Sequence, residues 1–146
     1  MSLIRRFLSS EDVAVALDVP DKVRAFEAAA LMVERRHQVD HAIVFRALWR
    51  REQLGSTGLG HGVAVPHARI AGIREPIVLL LCTKQPIAFG APDHKPVSVL
   101  FVILVPEDAN EEHLQILAAV SSLFADERFR ERLSAASDPV AIQRLF

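Results

Sequence analysis

The chain has 146 residues, enough for one domain whose core stands without disulfide or metal staples. Hydrophobic residues make up 51% of it, which excludes disorder and points to strands buried on both faces. Seventeen basic against eighteen acidic side chains leave a net charge of −1, a balance that calls for neither nucleic acid nor a membrane surface.

The opening MSLIRRFLSS carries two arginines but no apolar stretch suited to a signal peptide, and no run in the chain approaches the ~20 residues of a membrane span. With a lone Cys82 set in an apolar run, a reducing, cytoplasmic setting is expected, with Cys82 a small buried hydrophobe. Residues 2–8 suggest a helical turn packing Leu3, Ile4, Phe7 and Leu8. Val13 to Leu17 is rich in β-branched residues and predicts a first strand, closed by Asp18 and Pro20. From Asp21, apolar Val23, Phe26, Ala30 and Val33 recur at helical spacing, and Arg35 and Arg36 suit the last turn of a helix ending near His37. Asp40 then caps a second helix with Ile43, Val44, Ala47 and Leu48 as its buried stripe and Gly55 as its stop.

Leu54 to Ile70 (LGSTGLGHGVAVPHARI) holds four of the six glycines, Gly55, Gly58, Gly60 and Gly62, with Ser56, Thr57, His61 and His67. Such a run can turn tightly and aim successive N–H groups at an anion, so Thr57, Gly58, Gly60 and His61 are candidate phosphate-loop residues. Val63 and Val65 alternate with smaller residues as in a short strand, which Pro66 ends, so that His67 leaves the strand end in a restrained direction.

Pro76 to Thr83 and Val97 to Val105 are continuous apolar runs, the pattern of strands covered on both faces, and form the predicted sheet core. Gln85 to Pro96 between them reads as a Pro-rich loop with a short edge pairing at Ile87 to Phe89. Asp108 and Glu111 have capping-box spacing ahead of a helix through Phe124, with Leu114, Leu117, Val120 and Phe124 on its inner face. Helices over 126–134 and 138–145 follow, the second with Pro139 at its first position. Strand, two helices, three strands and three helices predict an α/β fold, a three-layer α/β/α sandwich around a mixed, mostly buried sheet, as a single domain over 1–146.

Of the histidines, His37 and His41 are four apart, but a break at Asp40 and the lack of a third ligand favour surface roles over a metal pair. His94 reads the same way. His61 either lines an anion site or tolerates an unusual backbone angle. His67 suits phosphoryl transfer: neutral imidazole is a nucleophile at cellular pH, and a phosphoryl group on its nitrogen stays reactive. Arg51, just before the glycine run, can fold back over a bound anion. No carboxylate dyad, Walker loop or cysteine nucleophile competes, and no cofactor or metal is called for. A metal hydrolase using His61, His67 and His113 is the weakest of the readings considered.

The segment REQLGSTGLGHGVAVPHARI resembles the active-site region of the fructose/mannitol type of enzyme IIA of the bacterial phosphoenolpyruvate-dependent phosphotransferase system, with GSTGLG most like its nitrogen-regulatory branch. The likeness continues through TKQPIAFGAPDHKPVSVLFVILVPED and EEHLQILAAVSSLF and so covers nearly the whole chain. It implies a phosphocarrier in which His67 accepts phosphate from a histidine-phosphorylated carrier protein, His113 is the second active-site histidine, and Arg51 is the arginine before the loop. It further implies regulatory protein targets, and a helix-flanked mixed sheet. His61 and Ala68-Arg69 depart from the nitrogen-type wording, which leaves the carrier and targets open. The alternatives are a sugar-specific enzyme IIA passing phosphate to an enzyme IIB, or a non-catalytic module that binds an anion or a partner.

Overall fold

The computed structural model describes residues 2–146; Met1, part of the 1–146 expectation, lies outside the described residues. Within them, a 3-10 turn (Ser10–Asp12) leads into β1 (Val13–Leu17), followed by α1 (Lys22–His37) and α2 (His41–Gln53). Three short strands come next, β2 (Gly58–Gly60), β3 (Val63–Ala64) and β4 (His67–Ile70), then the long β5 (Ile77–Ile87) and β6 (Val97–Pro106). The chain closes with α3 (Glu111–Phe124), α4 (Glu127–Ala135) and α5 (Pro139–Arg144).

The described strands form one mixed sheet in the order β1-β5-β6-β3-β2, with β4 also on β6. β5 and β6 pair antiparallel at its centre, β1 runs parallel to β5, β3 and β4 run parallel to β6, and β2 is antiparallel to β3. Alternation along these two strands feeds two cores. Leu79, Leu81, Leu100, Val102 and Leu104 pack under α1 and α2 with Phe26, Val33, Val44 and Leu48. Val78, Leu80, Phe101, Ile103 and Val105 face α3, α4 and α5 with Ile116, Val120, Phe124 and Phe129. The three-layer α/β/α sandwich follows from two apolar strands that have no polar face to show to water.

The helix ends obey local rules. Asp21, Asp40, Asn110, Asp126 and Asp138 each accept a hydrogen bond from an N–H of the first turn they precede. Asn110 therefore caps α3 in place of the expected Asp108, because its side chain takes the His113 N–H. Two apolar residues assigned to buried stripes are exposed, Ile43 on α2 and Leu114 on α3, each at 47%. The buried arc of α2 is narrower and continues from Val44 and Leu48 to an acidic residue, Glu52.

The region from Gly55 onward departs most from expectation. Gly58–Gly60 is a strand, antiparallel to β3, rather than a loop. His67 does not trail from a strand end; it begins β4, paired with Ile103 of β6, after a break at Val65 and Pro66. β5 runs through Pro86 to Ile87, which pairs with Val97 across a register shift, so the expected edge pairing is continuous with the core strand.

Candidate active site

β3 and β4 are two pieces of one line along β6, broken where Pro66 cannot donate to the ladder. Of the described strands β4 pairs only with β6, so its other edge is free. α2 packs beside β4 from one layer and α3 packs on β6 from the other. Where the two layers approach this edge they leave a cleft of about 480 Å³ lined by Arg50 and Arg51 of α2, His67 and Arg69 of β4, and His113 and Leu114 of α3. Residues 16 and 46 positions apart in sequence from His67 thus meet it on opposite walls.

His67 is half-buried, and its Nδ1 lies 2.8 Å from the carbonyl oxygen of Val65. A carbonyl only accepts, so Nδ1 carries the proton and the lone pair of Nε2 is left free. Arg51 donates from Nη1 to the Gly55 carbonyl at 2.8 Å, which bends its guanidinium back over the turn that follows α2. Arg69 is two residues beyond His67 on the same strand and donates to the Glu107 carbonyl at 3.0 Å. The N–H of His113 is used in the cap of α3, while its Nδ1 is buried with no hydrogen-bond partner among the described residues. The apolar lining includes Leu114, which is exposed, and Leu117.

The cleft lining contains none of the four candidate phosphate-loop residues. Thr57 is buried, and its hydroxyl donates to Glu52 Oε1 at 2.6 Å. Gly58 lies so close to Ala91 that a Cβ would come within 2.7 Å of the alanine methyl. Gly60 and Gly62 flank His61 in the tight turn of the β2–β3 hairpin, and His61 takes φ of 58°, the left-handed value that histidine tolerates. Its N–H donates to Asp93 Oδ2 at 2.9 Å. Together with the Lys95 N–H, that bond holds the Asp93 carboxyl below the usual range.

The His61 side chain lines a separate cleft of about 880 Å³ with Cys82, Lys95 and Arg130, so the three-histidine metal reading loses one of its ligands. Cys82 is half-buried rather than buried, and desolvation pushes its thiol pKa up. His37 and His41 turn to different carboxylates, Asp12 at 3.2 Å and Glu34 at 2.9 Å, and share no site.

Sequence reasoning passed over Arg69 and Glu52. The period of two along a strand puts Arg69 with His67, and the spacing Val44, Leu48, Glu52 puts an acid on an inward helix face; both signals were present.

The family model described as "Phosphoenolpyruvate-dependent sugar phosphotransferase system, EIIA 2" matches residues 6–146. A nitrogen regulatory protein of Pseudomonas aeruginosa is 40% identical over 125 residues, 85% of this chain and 81% of that protein. A fructose-specific EIIA component of Haloferax volcanii is 37% identical over 113 residues, 77% of this chain and 73% of that one. Among solved structures, the nitrogen regulatory protein IIA-Ntr of Neisseria meningitidis superposes with a TM-score of 0.93 at 42% identity, covering 99% of both chains. Mannitol IIA of Escherichia coli shares the fold at a TM-score of 0.77 and 22% identity. No helix among the described residues is long and apolar enough to cross a membrane. Family model, sequence and fold agree: the chain belongs to the type 2 enzyme IIA family of the phosphoenolpyruvate-dependent sugar phosphotransferase system, a phosphotransferase component with nitrogen regulatory proteins among its relatives.

Proposed function

We propose that this protein is a phosphocarrier whose His67 Nε2 reversibly accepts a phosphoryl group from a histidine-phosphorylated carrier protein, and that its phosphorylation state regulates other proteins. The carrying observation is the fixed ring of His67: with Nδ1 held by the Val65 carbonyl, Nε2 is the nitrogen with a free lone pair, and it belongs to a cleft shared with Arg51 and His113. In the transfer a P–N bond forms at Nε2 as the donor's P–N bond breaks, and the donor imidazole leaves with the electron pair. Such transfers rest on positioning and charge stabilisation, which Arg51, Arg50 and Arg69 supply for the phosphoryl oxygens.

A phosphoryl group adds roughly −1.5 to −2 charges to this rim. The cleft exposes Leu114 beside arginines, a surface whose partner preference changes with that charge. The regulatory reading is supported by the nitrogen regulatory relatives that align over most of the chain. A sugar-specific role, in which phosphate passes on to an enzyme IIB, is the second reading, favoured by the fructose-specific relative.

The test is incubation with phosphoenolpyruvate, enzyme I and the phosphocarrier protein, followed by intact mass. The folded wild type is expected to gain acid-labile phosphate and the folded His67→Ala variant none; phosphate retained by that variant would sink the proposal. Onward transfer to an enzyme IIB, with a sugar then phosphorylated, would select the second reading. A wild type that takes no phosphate from any donor would leave a binding module.

A further inference from the structure

Glu52 is an acid on the buried face of α2, with its side chain only 1% exposed. Its carboxylate has three partners. Lys22 of α1, 21% exposed, donates from Nζ to Oε2 at 2.8 Å, with its ammonium 4.4 Å from the centre of the Phe89 ring. The Thr57 hydroxyl donates to Oε1 at 2.6 Å, and the Thr57 N–H donates to Oε2 at 3.2 Å. Replacing a buried ion pair by apolar side chains is often neutral or stabilising, so stability alone is a weak reason to keep one. Its geometry suggests another.

Two paths lead from Glu52 to the cleft. The first is local: the Gly55 N–H donates to the Glu52 carbonyl at 3.2 Å while the carboxylate holds Thr57, so residues 55–57 are tied to Glu52 at both ends. The Gly55 carbonyl held in this turn is the group that accepts from Arg51. The second crosses the sheet edge: the Thr57 carbonyl accepts from the Val65 N–H at 2.9 Å, and the Val65 carbonyl is the group that fixes Nδ1 of His67.

We infer that Glu52, neutralised by Lys22, is a positioning residue that sets both the guanidinium of Arg51 and the ring tautomer of His67 through the one segment it clamps. The inference rests on the phosphocarrier reading for its kinetic consequence, but not for its structural one. It also accounts for Thr57, which serves the clamp and not an anion. The clamp gathers two site residues from different elements under the control of a side chain that touches neither.

The test compares Glu52→Met and Glu52→Gln with wild type in three readouts: thermal melting, the His67 tautomer by nitrogen-15 NMR, and phosphoryl-transfer kinetics at varied carrier concentration. Glu52→Met is expected to lose the single Nδ1–H form of His67 and to lower kcat on the order of tenfold to a hundredfold with KM little changed, as small misplacements of reacting groups do. Glu52→Gln, whose amide oxygen still accepts from the Thr57 hydroxyl, is expected to restore most of both. A folded Glu52→Met protein with the wild-type tautomer and kcat would overturn the inference and leave Glu52 a purely structural residue.

Should Glu52→Met not fold, Thr57→Val removes only the hydroxyl arm and is read the same way, with an unchanged tautomer and rate overturning the inference. The tautomer needs no phosphoryl donor. A wild type that takes up no phosphate would therefore defeat the phosphocarrier reading, while the NMR arm still decides for or against the clamp.

Discussion

At the scale of single residues, the two cleft histidines are held differently. His67 has its Nδ1 proton placed by a carbonyl, whereas His113 buries an Nδ1 that meets no partner among the described residues. A buried N–H without an acceptor is costly, so the His113 proton belongs on Nε2, where, on the proposed phosphocarrier reading, it would donate to a phosphoryl oxygen. His113→Gln places an amide near the Nε2 position and His113→Asn near Nδ1; the glutamine variant is expected to keep the greater share of phosphoryl uptake from the carrier, measured by intact mass over time. The reverse order would assign the working nitrogen to Nδ1. His67 and Arg51 were legible as candidates from local chemistry, an imidazole after proline and an arginine before a glycine run. Their meeting with His113 was suggested by family likeness and not by local chemistry, since His113 reads from its own helix as one polar residue in an opening turn.

Among the elements, the glycine run is shaped by packing as well as by turning. Several glycines together suggest a loop that cradles an anion, yet Gly58 sits where β2 runs against Ala91, and positive φ falls at Gly55 and in the turn around His61. Gly58→Ala is therefore expected to destabilise the fold by ~1–3 kcal/mol through overpacking. Combining it with Ala91→Gly should recover part of that loss, because the two side chains compete for one space. Chemical denaturation of the two single variants and the double variant checks this; strict additivity would show that Gly58 is needed for some other reason. The helices were better foretold, since caps such as Asp21 and Asp40 act over three or four residues and leave a local mark. The Asn110 cap won over Asp108 by two positions, a choice the spacing of acids alone could not make.

In the whole molecule, stability and site come from the same layered plan. The α3–α5 layer is held by an aromatic cluster: the fully buried Phe129 ring meets Phe124 at 5.4 Å and Phe146 at 5.0 Å, both edge to face. Phe129→Ala is expected to lower unfolding stability by ~3–5 kcal/mol. Phosphoryl uptake should survive wherever that protein remains folded, because Phe129 is not among the cleft residues; thermal melting paired with the uptake assay checks both halves. Local signals in the chain were enough for the helices, the two apolar central strands and hence the α/β/α layering, because helix periodicity, caps and unbroken apolar runs are local properties that burial then enforces. Long-range packing set the place of Gly58 against Ala91, put His67 on a strand edge and His61 in another cleft, and brought Thr57 onto the buried Glu52. Those outcomes depend on pairings between residues far apart in the chain, and the physical cause is that strand register and layer packing are settled by partners that no local window contains.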